Sequence, residues 1–187
     1  FTTAGEVESV TAHEVINSNK SLTGTVTVKS CDHSTVTAAD NGNGTHSTPE
    51  CPACGLAGVE NQAHDWTETT PCTVCGAVAV AKVVNGSSTT YVGALADAFT
   101  EGNSGATVTL LSEVDLGSNY IEIRGSSTFT LDLNGQTVKA ADYGAFLISG
   151  SSLTIQDSGT GGKIESSNIT IKVTGGTLSI QSGTVSG

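Results

Sequence analysis

The chain has 187 residues with 23 Gly, 3 Pro, no Met, 4% aromatic and 13% charged residues. This composition is wrong for a helical bundle or coiled coil, which would be rich in Leu, Lys and Glu. Seven basic residues stand against 18 acidic ones, a formal net charge of -11, so the basic face required by nucleic acid or an anionic membrane is missing, and no run approaches the roughly eighteen apolar residues of a membrane span.

Residues 1–30 carry Val7, Val10, Val15 and Ile16, then the alternating run Thr23 to Lys29. The alternation predicts a strand, and the segment reads as lead-in strands or a linker.

Residues 31–77 change character. All five Cys and three of the four His lie here, among Asp, Asn, Gly, Thr and Pro. With almost no large apolar side chains, the segment needs something other than hydrophobic burial to fold it. Cys51-Pro52-Ala53-Cys54-Gly55 and Cys72-Thr73-Val74-Cys75-Gly76 are two CxxCG units with 17 residues between the inner cysteines, the spacing of a zinc-ribbon-like module. Each tight turn sets two thiolates on one side, and the following Gly supplies the backbone conformation that aims amides at sulfur. Cys31, His33, His46 and His64 complete a set of eight ligands, enough to close two four-coordinate structural zinc sites. Two pairings fit. In one, Cys51, Cys54, Cys72 and Cys75 form a ribbon, and Cys31, His33, His46 and His64 a second site. In the other, each CxxC takes two further ligands, for instance Cys31 and His33 with Cys51 and Cys54, and His46 and His64 with Cys72 and Cys75. A single zinc, or disulfides, are the alternatives; five Cys is an odd number for disulfides, which would also leave the His unexplained. A catalytic zinc would need an open position and a nearby base. Trp66, close to His64, is expected to pack over the metal knuckle as its miniature core. His13, outside the cluster, reads as a surface residue.

From residue 78 to 187 the chain consists of short alternating runs of Val, Ile, Leu and Thr. Asn85-Gly86 predicts a hairpin turn. Tyr91, Leu95 and Phe99 stand at helical spacing and predict an amphipathic capping helix, with Gly102 as its stop. Beyond it an internal repeat sets the architecture. Phe129-Thr130-Leu131-Asp132 recurs as Leu153-Thr154-Ile155-Gln156 and Leu178-Ser179-Ile180-Gln181, each preceded by a turn of small residues beginning at Gly125, Gly150 or Gly175. Val108-Thr109-Leu110, 21 residues before Phe129, fits as a first rung. A second column runs through Val138, Ile164 and Val185. A third takes Ile121 and Ile123, Phe146 and Ile148, and Ile169 and Ile171. Three short strands per coil is the period of a parallel β-helix, in which the apolar members stack inward on their counterparts one coil away. Thr130, Thr154 and Ser179, and equally Asp132, Gln156 and Gln181, are expected outside.

The coils offer little for catalysis. Asp132 is the one acid on its column; Asp115, Asp142 and Asp157 fall at turns and read as solvated acids. The single Arg is Arg124, and Tyr120 and Tyr143 are the only aromatics suited to stacking on a sugar.

The stretches from Ala81 through Phe99, Ala106 to Leu111, Leu131 to Val138 and Gly176 to Gly187 resemble the right-handed parallel β-helix segments of large surface proteins from Gram-positive, often gut-dwelling bacteria. The Cys31 to Cys75 segment resembles the Cys/His repeats that precede such helices. The resemblance implies a secreted or wall-anchored, adhesin-type chain with an extracellular location, and a host or glycan ligand; no enzyme signature carries over with it. The expected function is structural and adhesive, with carbohydrate binding or processing as the alternative, and the chain is expected to continue after Gly187.

Overall fold

The computed structural model describes residues 36–52, 56–141 and 144–187. The expected lead-in strands of residues 1–30, the ligands Cys31, His33 and Cys54, and Asp142 and Tyr143 lie outside these residues. Among the described residues the protein is nearly all β. Strands β1 (Ala39–Asp40), β2 (Thr45–Thr48) and β3 (Val59–Ala63) form a small antiparallel sheet in that order. The strands from Ala81 onward belong to a β-solenoid of about three turns.

The solenoid opens with a hairpin. Strands β4 (Ala81–Asn85) and β5 (Ser88–Val92) pair antiparallel, and Gly86 turns between them at φ +59, as Asn85-Gly86 predicts. The expected helix over Tyr91 to Phe99 does not form. Tyr91 and Val92 instead pair with Lys82 and Ala81, and only Leu95–Ala98 winds, as one 3-10 turn. A nine-residue segment containing Val92 and Gly93 cannot overcome the cost of helix nucleation, and strand pairing wins. Gly102 ends no helix but sits inside a second short 3-10 turn, Glu101–Asn103. The capping role survives in Leu95, Ala98 and Phe99, all buried in the solenoid core, and Phe99 meets Phe129 and Phe146 edge-on, with ring centroids 5.3 and 5.7 Å apart.

Three strand columns follow. β8 (Ile121–Arg124) stacks in parallel on the first half of β11 (Phe146–Gln156), and that on the first half of β13 (Ile171–Ile180). The second column runs from β6 (Thr107–Leu110), itself antiparallel to β4, through β9 (Thr128–Asp132) to the second halves of β11 and β13. The third stacks β7 (Val114–Asp115), β10 (Thr137–Ala140), β12 (Lys163–Ser166) and β14 (Thr184–Ser186). Phe129, Leu153 and Leu178 fall in one row, and Val138, Ile164 and Val185 in another, as the repeat predicts. Period-two alternation buries Phe129, Leu131, Leu153 and Ile155 fully, and with Ile123, Phe146 and Ile148 they form the core.

Two registers differ from expectation. Val108 pairs with Leu131, not Phe129, so the first rung is displaced by two residues; the even slip keeps every side chain on its predicted face. In the remaining column Phe146 and Ile148 face Ile171 and Val173, whereas Ile169 lies in the preceding turn and is exposed. Between the first two columns β11 and β13 run on through a bulge at Ser149 to Ser151, where successive corners touch. Gly176 there has φ +92, and a Cβ on it would overlap the Ser151 carbonyl oxygen, so the recurring small residues are a steric requirement of coil-on-coil contact.

The opposite corner corrects a further expectation. Asp132 is not an outward acid: it is 6% exposed. Its carboxylate accepts from the Asn134 and Ser158 amides at 3.0 and 2.9 Å and from Gln156 Nε2 at 3.0 Å. Asp157, half-buried, accepts from the amides of Gly135 and Gly162 at 2.7 and 2.8 Å. Both acids serve backbone donors of tight turns that have no ladder partner.

Candidate metal centre

Two elements bring the ligands together. His46 lies in β2, the central strand of the small sheet, and is buried; His64 follows the last residue of β3, the adjoining strand. Cys72 and Cys75 stand on a knuckle closed by Cys72 N donating to Ala77 O at 2.8 Å and Gly76 N to Cys72 O at 2.9 Å, with Gly76 at φ +75. Asp65, next to His64, ties the knuckle to the sheet by accepting from the Thr73 amide at 2.9 Å and from its hydroxyl. These two bonds, the hydroxyl first, hold the Asp65 carboxyl down at about 2.

One potential ligand atom from each of His46, His64, Cys72 and Cys75 falls within 4.8 Å of the others. His64 Nδ1 lies 3.4 Å from Cys75 Sγ, and His46 Nδ1 lies 3.8 Å from Cys72 Sγ. A tetrahedral ion with N and S bonds of about 2.05 and 2.3 Å sets its N and S ligands about 3.5 Å apart. The observed separations bracket that edge, so the residues fit a four-coordinate metal. The imidazole Nε2 atoms of both His are buried and lack a hydrogen bond among the described residues. That of His64 lies 3.3 Å from Asp40 Oδ1 without hydrogen-bond alignment, placing a carboxylate behind a ligating imidazole.

The thiols are prepared unequally. Burial pushes both up. At Cys72 the amide of Cys75, the His64 side chain and the Val74 amide outweigh burial and bring it below the ordinary thiol value. At Cys75 burial, joined by Cys72 and the charge of Asp40, leaves it raised. No disulfide links Cys72 and Cys75.

Trp66 packs where the sequence predicts. Its indole stacks on the His64 ring with centroids 4.0 Å apart and planes 7° from parallel, and Nε1 donates to Ala77 O at 2.7 Å. With Cys72 and Ala79 it forms a second small core, against which Tyr91 and Leu111 pack.

Of the eight ligands expected from the sequence, four converge: His46, His64, Cys72 and Cys75. Among the described residues Cys51 is buried but is not one of this group, so the group joins Cys72 and Cys75 to two imidazoles. Asp40 and Asp65 carry no sequence signal: one lies in a two-residue strand and the other between His64 and Trp66, and only the fold brings them to the ligands. Comparison with models of protein families, with curated proteins and with solved structures gives no match. No helix among the described residues is long and apolar enough to cross a membrane.

Proposed function

We propose that the protein is a structural and adhesive segment of a secreted or wall-anchored bacterial surface chain, whose Cys/His head is stapled by structural zinc onto the start of a stiff β-solenoid. The observation that carries the metal reading is the convergence of two thiols and two imidazoles within 4.8 Å of one another, with two N–S separations, 3.4 and 3.8 Å, near the tetrahedral edge. Mixed thiolate and imidazole donors suit zinc, and four protein ligands leave no position for a reacting water. The ion supplies the cohesion that the sparse apolar content of the head cannot. Cys31, His33, Cys51 and Cys54 are assigned to a second zinc. Its support is that Cys51 N donates to Leu56 O at 2.9 Å, the same five-residue closure as Cys72 N to Ala77 O.

The surface role rests on composition and resemblance: few Lys and Arg, many Ser, Thr and Gly, and a repeat whose coils stack into a rod. The burial of Asp132 removes the acid on which a carbohydrate-processing reading would most readily be built.

Elemental mass spectrometry of the purified chain with thiol titration tests the metal. Two zincs per chain with all five thiols titratable after chelation are expected. Oxidised cysteines and no zinc would overturn the proposal. For the surface role, incubation with a broad glycan panel should retain or ignore glycans without releasing reducing ends or unsaturated products; turnover of any glycan would replace the adhesive reading.

A further inference from the structure

The knuckle and the solenoid are joined by more than the covalent chain. Six residues after Cys75 the chain becomes β4, and between knuckle and hairpin lies the small core of Trp66, Cys72 and Ala79, with Tyr91 and Leu111 packed against it and Trp66 its largest member. One face of its indole lies flat on His64. Its far edge rests on Gly93, the residue that follows β5: a Cβ added at Gly93 would come 2.7 Å from Trp66 Cη2. Gly93 does not have the positive φ that would call for glycine on backbone grounds. The absence of a side chain at this position therefore answers the indole. Lys82 in β4 pairs with Glu68 of the head at 2.8 Å, a second tie across the same seam.

We infer that Gly93 and Trp66 are positioning residues for the metal. The solenoid hairpin, through the Gly93 seat, fixes the indole; the indole fixes the plane of the His64 ring; and the ring plane sets the aim of its ligating nitrogen. This rests on the proposed metal reading and extends it: the affinity of the centre is set partly by the solenoid. Linkage then requires the reverse, that metal binding stabilises the β4–β5 hairpin.

A double-mutant cycle tests this with zinc alone as the probe. Gly93→Ala touches no ligand, yet it should weaken zinc binding, measured by competition with a chromophoric chelator, by about tenfold, the scale of a residue standing behind a ligand. Trp66→Phe shortens the edge that meets Gly93, so in that background Gly93→Ala should change the affinity little. An equal loss in both backgrounds, or no loss in either, overturns the inference. Amide exchange supplies the reciprocal readout: zinc should slow exchange at Val83 and Val92 in the parent protein, and Trp66→Leu, which adds no bulk, should abolish that dependence. Persistence of the dependence in Trp66→Leu also overturns it. If the parent chain takes up no zinc, the metal reading itself fails. That outcome is distinct from a parent that binds zinc but whose affinity ignores Gly93.

Discussion

Gln156 reaches across one coil and donates from Nε2 to Asp132 Oδ2 at 3.0 Å, so that two residues from equivalent positions of successive repeats close on each other as a polar rung. Burial pushes the Asp132 carboxyl up, but the Ser158 amide, the Gln156 side chain, the Ser158 hydroxyl and the Asn134 amide outweigh it and hold the group below its ordinary value. The carboxylate thus contributes stability that is fully present above its unfolded value of about 3.9 and is lost as pH falls through the depressed folded value. Asp132→Ala should cost about 3 kcal/mol at neutral pH, because the amides of Asn134 and Ser158 lose their acceptor inside the fold. In urea titrations the gap between wild type and Asp132→Ala should narrow below about pH 4. A gap that is constant down to pH 2 would show that the ionised form is not what stabilises the corner.

The stacked rows make a graded prediction. Leu131 and Ile155 are wholly buried in adjacent rungs, whereas Ile180, their counterpart in the last described coil, is 49% exposed. Leu131→Ala and Ile155→Ala should each destabilise by about 2–5 kcal/mol through lost burial and a cavity between coils. Ile180→Ala should cost less than about 1 kcal/mol. Equilibrium denaturation of the three variants checks the order, and equal losses would contradict the stacking of the rows.

The rows were legible because alternation and a repeat of about 25 residues report the same fact twice. A strand turns every second side chain inward, and a coil brings equivalent positions into contact. Phe129, Leu153 and Leu178 recur at matching offsets in the sequence, whereas the two-residue slip at Val108 preserves the alternation and so leaves no mark in it. The spacing of Tyr91, Leu95 and Phe99 suits a helix but is equally satisfied by a strand end followed by one 3-10 turn, and the partner that decides is β4. The burial of Asp132 is not legible in the sequence because solvent exposure of an acid is the rule, and the exception depends on amides that only the corner geometry presents. At the metal centre the ligand types were legible from CxxCG and the neighbouring His, but their grouping depends on the register of β2 against β3.

Two glycines with left-handed backbones should respond differently to alanine. Gly42 has φ +72 with no atom within 4 Å of an added Cβ, while Gly176 has φ +92 and its Cβ would overlap the coil beneath. Gly42→Ala therefore pays only the left-handed conformational cost of about 1–2 kcal/mol. Gly176→Ala must also push two coils apart, and should destabilise by at least about 2 kcal/mol more. Thermal melts of the two variants measure the difference. Similar midpoints would mean that the corners of successive coils do not touch as described.

Metal removal should act on the head before the solenoid. The head's apolar core is Trp66, Cys72 and Ala79 with a few partly buried neighbours, whereas the solenoid has its own continuous core from Ala81 to Ile164. Chelation should therefore abolish amide protection at His46 and in β3 while leaving Leu131 and Ile155 protected. Cys72→Ser should reproduce this without chelator, since a hydroxyl is a far weaker ligand than the thiolate that the surrounding amides favour at Cys72. Cobalt substitution reads the geometry directly: two thiolates and two imidazoles in a tetrahedron give intense visible d–d bands and a thiolate charge-transfer band, and Cys72→Ser and Cys75→Ser should each weaken that charge-transfer band. Weak octahedral-type spectra, or spectra unchanged in His46→Ala and His64→Ala, would show that the cysteines bind metal without these two imidazoles. The grouping of ligands would then differ from the one the strands impose.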